Sequence, residues 1–501
     1  MLIEEKIYDL YKPLRNHLRP VSIENAFYVI WAYINFLQFN KIFPKDIQVD
    51  SAILNKDSHC RYIAEWELAL LTREMIVNGQ ISPSLLERDF RNYSYFAGAI
   101  NKIKDFENEA WSVFGNISNV PKEIRRTAHR QFPWQSKPNP SLFVRYFKIY
   151  NNPRINQMVE NIIGLSVQQW YMIGTALIGV ILSNPKIYKD PKISIPGISK
   201  KEFDTFLSFT AADLDKLGGI IEKDVKYDDQ YVYTLNPLEY YPLININQYY
   251  YCPIITFLIW RITSGIYFDL IGNKNFGDPF GFAFQDYLEE ISNKILLPSV
   301  TKIFPEQKYS GDKGNKDSVD FILSQTEAAI FLEAKAKRMI ARSKSQLLSN
   351  EAIEKDLDIL ADDIVKVYAT IYDYKMSRYL HFPYQPSIKV YPLIVTMEDW
   401  FLFGEDSKKL SEKVECKLQN RGLDINYLTE IPYTVCSATN YEYFIQILNN
   451  HTINEVMNKW FTPDKKDHNF GQFLLSNYNE GYKEIDYFFP NDFEKIYQIN
   501  N

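Results

Sequence analysis

Between Phe280 and Thr396 the chain switches repeatedly between helical and extended patterning, and the order of those switches leaves few folds open. A stretch with apolar residues at helical spacing (FGFAFQDYLEEISNKIL) gives way to a polar loop (KYSGDKGNKD). Two short apolar runs follow, SVDFIL and AIFLEAKA, separated by the polar turn SQTEA. A long helical stretch from about Asn350 to Lys375 comes next, and then a further apolar run, IKVYPLIVT. Two β-forming runs joined by a short polar turn predict a hairpin. Strands interleaved with helices make an α/β pattern, so a mixed sheet sandwiched between helices is expected here.

The rest of the chain is of another kind. At 501 residues it exceeds what one core usually supports, so two domains, or three, are expected. Residues 1 to about 115 read as helices: Ser22 is placed to cap IENAFYVIWAYINFLQF, and Cys60 to Val77 repeats the pattern. Prolines break up residues 121 to 154, helical spacing resumes from Asn156 to Leu182, and 184 to 201 reads as a Pro- and Lys-rich loop. Tyr231 to Pro253 is dense in β-formers with Asn-Pro and Asn-Gln turns, which predicts a small hairpin. An apolar helix from Ile254 to Leu270 and a boundary at Gly272 to Pro279 complete this half. The fold class expected is α+β: a mainly helical region with a small hairpin over 1–272, then an α/β domain over 273–501. Residues 440 to 501, with a helix at Tyr441 to Asn449, either complete that domain or form a dimer surface.

Bulk properties exclude several function classes. A net charge of −6 gives no long-range attraction for polyanions, so any nucleic-acid contact must be a local patch. Cys60, Cys252, Cys416 and Cys436 are too scattered for a CxxC site or a disulfide scaffold, and read as core thiols of a reducing cytoplasm. The first residues, MLIEEKIYDLYKPLRNHL, lack a signal peptide's apolar stretch, and the longest apolar run, Trp170 to Leu182, is too short to cross a bilayer. A cytoplasmic protein with no membrane partner is expected. No GxxxxGK[ST] loop is found, so no nucleotide cofactor is expected, and the six histidines show no zinc spacing.

The chemistry concentrates in the hairpin. Side chains alternate along a strand, so Glu333 and Lys335 emerge on one face, and Asp320 on the preceding strand folds back alongside them. Two carboxylates suit Mg²⁺, with Mn²⁺ as a substitute, because Mg²⁺ takes one or two carboxylates and keeps several waters. A lysine beside them serves to position water or to offset charge developing on a phosphate. Asp320-Phe321-Ile322 on one strand and Glu333-Ala334-Lys335 on the next resemble the PD-(D/E)XK, or restriction-endonuclease-like, nuclease superfamily. The resemblance covers the region from about 275 to 440 and not the whole chain. It implies a mixed central sheet flanked by helices, metal binding by Asp320 and Glu333, and assistance to attack by Lys335. Gly281-Phe282-Ala283-Phe284-Gln285 is similar to the superfamily's upstream Gly-x-x-Phe-Glu, with Gln285 in place of the acid. Glu289, one turn later, is the alternative accessory carboxylate. Asp312 and Asp317 rank below Asp320 as first acids because both lie in the polar loop.

Cations add two candidate nucleic-acid contacts. Lys337, Arg338, Arg342 and Lys344 follow the motif, and Lys366 and Tyr368 lie in the acidic long helix behind it. Lys122 to Lys148 carries seven Lys or Arg against one Glu, interleaved with Phe132, Trp134, Phe143 and Tyr146. Arg125, Arg126 and Arg130 there would hold phosphates while rings stack on bases, unless the arginines pair with acids elsewhere in the chain. The function expected is a Mg²⁺-dependent endonuclease, acting on DNA before other nucleic acids, with the N-terminal half recognising substrate or regulating cleavage. A homodimer or a partner protein as activator is left open, and a place in restriction or antiphage defence rests on fold analogy alone. The alternative is a catalytically silent module of the same fold that binds nucleic acid or serves as an adaptor.

Overall fold

A computed structural model of the chain describes residues 3–54, 62–81, 88–138, 140–189, 195–224, 226–311, 314–462, 469–478 and 482–496. Cys60 and Asp312 lie outside the described residues. Helices dominate, and the strands are gathered into separate sheets, the α+β composition expected. The chain divides into two compact units. The first comprises residues up to Val120, Arg126 to Lys274 and the described residues from Asn491; the second comprises Pro121 to Arg125 and Asn275 to Pro490.

In the first unit, local sequence rules set the helix ends. Ser22 caps Ile23–Phe39, its side chain accepting from the Asn25 amide, and Asn40 ends the helix in the left-handed conformation (φ 55°). The single helical stretch expected over Asn156 to Leu182 is two helices, Asn156–Ile163 and Val167–Ile181, bent by 63°. Gly164 stops the first at φ 78°, and Ser166 starts the second with a capping box to Gln169, so polar capping overrides continuous apolar spacing. Trp170, Ile173 and Leu177 of the second helix are buried, as expected of a core helix. Among the described residues no single helix is long and apolar enough to cross a membrane.

The expected hairpin is present as Leu243–Ile246 and Tyr249–Tyr251, turning at Asn247 (φ 53°). Lys186–Tyr188 pairs with its outer strand, and Ala211–Asp213 with its inner one. The stretch 184 to 201 is therefore not wholly a loop, a correction that follows from a three-residue strand being too short to show a period. Cys252 and Cys436 are buried thiols, but Cys416 is exposed, which corrects its assignment to a core.

The second unit is built on one mixed sheet. Its elements include α1 (Gly277–Ile295), β1 (Lys302–Pro305), β2 (Lys308–Gly311), β3 (Gly314–Asp317), β4 (Phe321–Ser324), β5 (Ala328–Lys335), α2 (Ala341–Ser345), α3 (Glu351–Lys375), β6 (Lys389–Thr396), α4 (Gly404–Asn420), β7 (Thr434–Ser437) and α5 (Ala438–Ile447), with further short helices beyond Ile447. The sheet order is β7-β6-β5-β4-β1, with β4 antiparallel to both β1 and β5, and β5, β6 and β7 mutually parallel. Alternation along the strands feeds two cores. Ile322, Phe331 and Ile394 pack with Leu357, Ile364 and Tyr368 of α3. Phe321, on the opposite face, meets Tyr441 of α5, and Tyr287 of α1 donates to Glu442 beside it. Burying both faces explains why β4 and β6 read as continuous apolar runs rather than alternating ones. The small hairpin β2–β3 is anchored on α3 by the buried Asp373, whose Oδ2 accepts from Tyr309 at 2.7 Å and Lys316 at 2.8 Å, while Arg378 bonds Oδ1.

Candidate active site

The site forms where the hairpin β4–β5 opens. Phe321 opposes Leu332 in the antiparallel ladder, so Asp320, one residue outside β4, falls level with the outer end of β5. Its carboxylate takes the next rung: Oδ2 accepts from the Ala334 amide at 2.6 Å. Glu333 and Lys335 flank that amide on one face of β5, and Lys335 Nζ lies 2.8 Å from Glu333 Oε1. The three residues singled out in the sequence are therefore brought together.

Two further acids, which the sequence did not single out, complete the surroundings. Asp363 of α3 places Oδ1 at 3.3 Å from Lys335 Nζ. Glu306, in the connection from β1 to β2, accepts from Gln285 Nε2 at 3.4 Å. Gln285, standing where the resemblance expects an acid, thus turns to an acid from another element. Glu289 lies half-buried one turn on, and among the described residues its carboxylate bonds none of Asp320, Glu333 and Lys335. Asp317 ends β3 as an exposed residue whose charge acts on Glu306. No motif marks Glu306, and Asp363 is hidden among Asp356, Asp358 and Asp362. What distinguishes Asp363 is its seven-residue spacing from Asp356, which puts both on one side of α3.

The electrostatics follow from partial burial. Removal from water, and then the negative charge of Glu333, push the Asp320 carboxyl up to about 8, against relief from the Ala334 amide and Lys335. Burial alone would lower the Lys335 ammonium, but Glu333 and Asp363 outweigh it and hold the lysine firmly charged. Burial also raises Glu306, which the Gln285 bond partly offsets while Asp317 and Glu333 add to it. Burial first, and then the charges of Glu333 and Glu306, favour the protonated form of Asp320. A divalent cation on Asp320 and Glu333 would relieve that repulsion, and a two-carboxylate donor set is one that Mg²⁺ accepts with waters filling the remaining positions. The residues fit the ion.

No family model matches the chain. Comparisons with curated proteins and with solved structures also return no match.

The basic residues that the sequence nominated for nucleic acid are mostly used internally. Lys337 pairs with Asp356 at 3.0 Å, and the nearly buried Arg338 pairs with Glu398 at 3.2 Å, an acid it shares with Lys344. Asp356 also accepts from the Ile340 amide and from Ser343. These bonds fold the segment after β5 onto α3, so it is not an open basic edge. Arg342 and Lys366 are exposed, whereas Tyr368 is buried and donates to the Ile431 carbonyl.

The stretch from Lys122 to Lys148 is corrected in the same way. It forms the helices Val120–Gln135 and Pro140–Tyr150. Arg125 is 2% exposed and donates to both oxygens of Asp406 at 2.7 and 2.8 Å. Arg126, equally buried, bonds Asp229 and stacks its guanidinium 3.8 Å from the Tyr233 ring centre. Arg130 bonds Glu107, and Trp134 is packed against Phe257 and Trp260. Desolvated guanidinium groups need such partners, and in these bonds Arg125, Arg126 and Arg130 are not presented to phosphates.

Proposed function

We propose that the second unit is a metal-dependent nuclease of the PD-(D/E)XK kind, with Asp320, Glu333 and Lys335 as its reacting group. The observation that carries this reading is geometric: the Asp320 carboxylate sits on the Ala334 amide, between Glu333 and Lys335 of the neighbouring strand, and Lys335 Nζ lies 2.8 Å from Glu333 Oε1. Burial first, and then the charge of Glu333, push the Asp320 carboxyl up to about 8. Carboxylates forced together this way are poised for a cation. The strand order β7-β6-β5-β4-β1, with the antiparallel hairpin carrying the acids and a parallel strand beyond it, supports the restriction-endonuclease-like core.

In this reading Asp320 and Glu333 hold Mg²⁺ or Mn²⁺, which supplies polarisation of a phosphoryl oxygen and a lowered pKa for bound water. The Ala334 amide fixes the Asp320 carboxylate, leaving its other oxygen for binding. Lys335 stays protonated and orients the attacking water or offsets charge on the phosphate. Gln285 restrains Glu306 at the rim. The substrate proposed is nucleic acid, with DNA first, and the cytoplasm as the place of action. Because the buried arginines are internally paired, phosphate contacts are assigned to exposed cations of the same unit, Arg342 and Lys366 among them. A role in restriction or antiphage defence, and a second copy or partner protein as activator, remain proposals that follow from fold analogy.

The test is incubation of the purified protein with linear duplex DNA, single-stranded DNA and RNA, each with Mg²⁺, Mn²⁺ or EDTA. Cleavage that EDTA abolishes supports the reading and names the substrate. Binding without cleavage of any of them would favour the silent module.

A further inference from the structure

The ammonium of Lys335 is held from two sides, and the second holder does not belong to the hairpin. Glu333 Oε1 lies 2.8 Å from Nζ and Asp363 Oδ1 lies 3.3 Å from it. The other acids of α3 point elsewhere and have other work. Glu354, Asp358 and Asp362 form a ladder with Lys409, Lys413 and Lys417 of α4. Asp356 ties down Lys337 and the loop behind it. Asp363, two turns along the helix from Asp356, is the α3 acid that pairs with Lys335.

We infer that Asp363 is a positioning residue for Lys335, an inference that rests on the nuclease reading of the site. A carboxylate engaged with a divalent cation has less charge and fewer lone pairs to offer a neighbouring ammonium. When Glu333 turns to its ligand, an ammonium held by Glu333 alone would swing away on its four-carbon stem. Asp363 prevents this, because α3 is fixed by the core beneath the sheet and carries its carboxylate to Lys335 independently of the hairpin. Lys335 therefore keeps one anion and one place through the reaction. Neighbours that orient a reacting group commonly contribute about 10- to 100-fold to activity.

The experiment compares wild type, Asp363→Asn and Asp363→Glu in the full-length protein. Steady-state cleavage gives kcat and KM, melting gives stability, and heteronuclear NMR of the lysine ammonium groups follows Lys335, assigned by the signal missing in Lys335→Gln. The expected result for Asp363→Asn is a kcat lower by about 10- to 100-fold, KM and melting temperature near wild type, and a mobile, rapidly exchanging Lys335 ammonium. Asp363→Glu restores both rate and signal. An Asp363→Asn variant with wild-type kcat, or one whose loss is matched by a lower melting temperature and not rescued by Glu, overturns the inference while leaving the nuclease standing. A wild type that cleaves nothing sinks the nuclease reading instead. In that case the NMR comparison still decides whether Asp363 holds Lys335, since an unaltered ammonium signal in Asp363→Asn rejects it.

Discussion

Replacing Asp320 by Asn makes a prediction with an unusual sign: the substitution that removes activity also stabilises the fold, and does so more as pH rises. Asn keeps an oxygen to accept from the Ala334 amide but carries no charge. The wild-type carboxyl has its pKa raised from 3.8 to about 8, so between those values the folded state holds a proton that the unfolded chain has released. The folded state then binds more protons than the unfolded one, and stability falls as pH rises through that window. The full span of about 4 pH units at about 1.4 kcal/mol each sets a ceiling of about 6 kcal/mol. Because neighbouring charges respond as Asp320 ionises, only part of that span is expected to appear, about 2 kcal/mol. For a unit of this size that is a melting temperature about 4 to 8 °C higher for Asp320→Asn at about pH 9, shrinking towards zero at about pH 4. Mg²⁺ reverses the order by stabilising the wild type and not the variant. The assay is thermal unfolding across pH with and without Mg²⁺. A variant that melts lower than wild type at every pH would instead make Asp320 an ordinary stabilising carboxylate.

Glu333→Gln and Lys335→Ala are each expected to lower cleavage at least about 100-fold without loss of solubility, measured by initial rates and melting. Arg125→Ala leaves Asp406 buried without its cation and is expected to cost about 3 to 5 kcal/mol by urea unfolding. The same variant should leave the salt slope of nucleic-acid binding unchanged; a flatter slope would return Arg125 to the substrate interface. Asp373→Asn loosens the β2–β3 hairpin, with an expected loss of about 2 kcal/mol by the same method. Burial opposes the Asp373 charge, but bonds from Lys316, Tyr309 and Arg378 outweigh it and hold its pKa below 3.8. Its contribution is therefore complete above about pH 4 and lost as pH falls below that, so the wild-type advantage over Asp373→Asn should vanish in acid.

What could be read from the sequence was local. The Ser22 cap, the Asn247 turn and the long helix ending at Lys375 are written in a few consecutive residues, and β4, β5 and β6 are strong apolar runs with clear turns. The convergence of Asp320 with Glu333 and Lys335 needed only a hairpin register and a two-residue period. What escaped was either too short or too distant. Lys186–Tyr188 and Lys302–Pro305 are strands of three and four residues that exist through their partners. The pairing of Arg125 with Asp406 spans 281 residues of sequence, so a basic stretch that looked like a phosphate-binding surface proved to be internal ion pairing. Asp363 and Glu306 reach the site from a helix and a loop whose orientation is set by tertiary packing, and no spacing rule connects them to Glu333.

The most direct test of the proposed chemistry is single-turnover cleavage of whichever nucleic acid the wild type cuts, with Glu333→Gln run beside it at matched binding. The expected result is Mg²⁺-dependent product from the wild type, none above background from the variant, and equal binding by both. Equal cleavage by the two proteins would contradict it, and the acids and lysine at the mouth of the hairpin would then be a structural cluster.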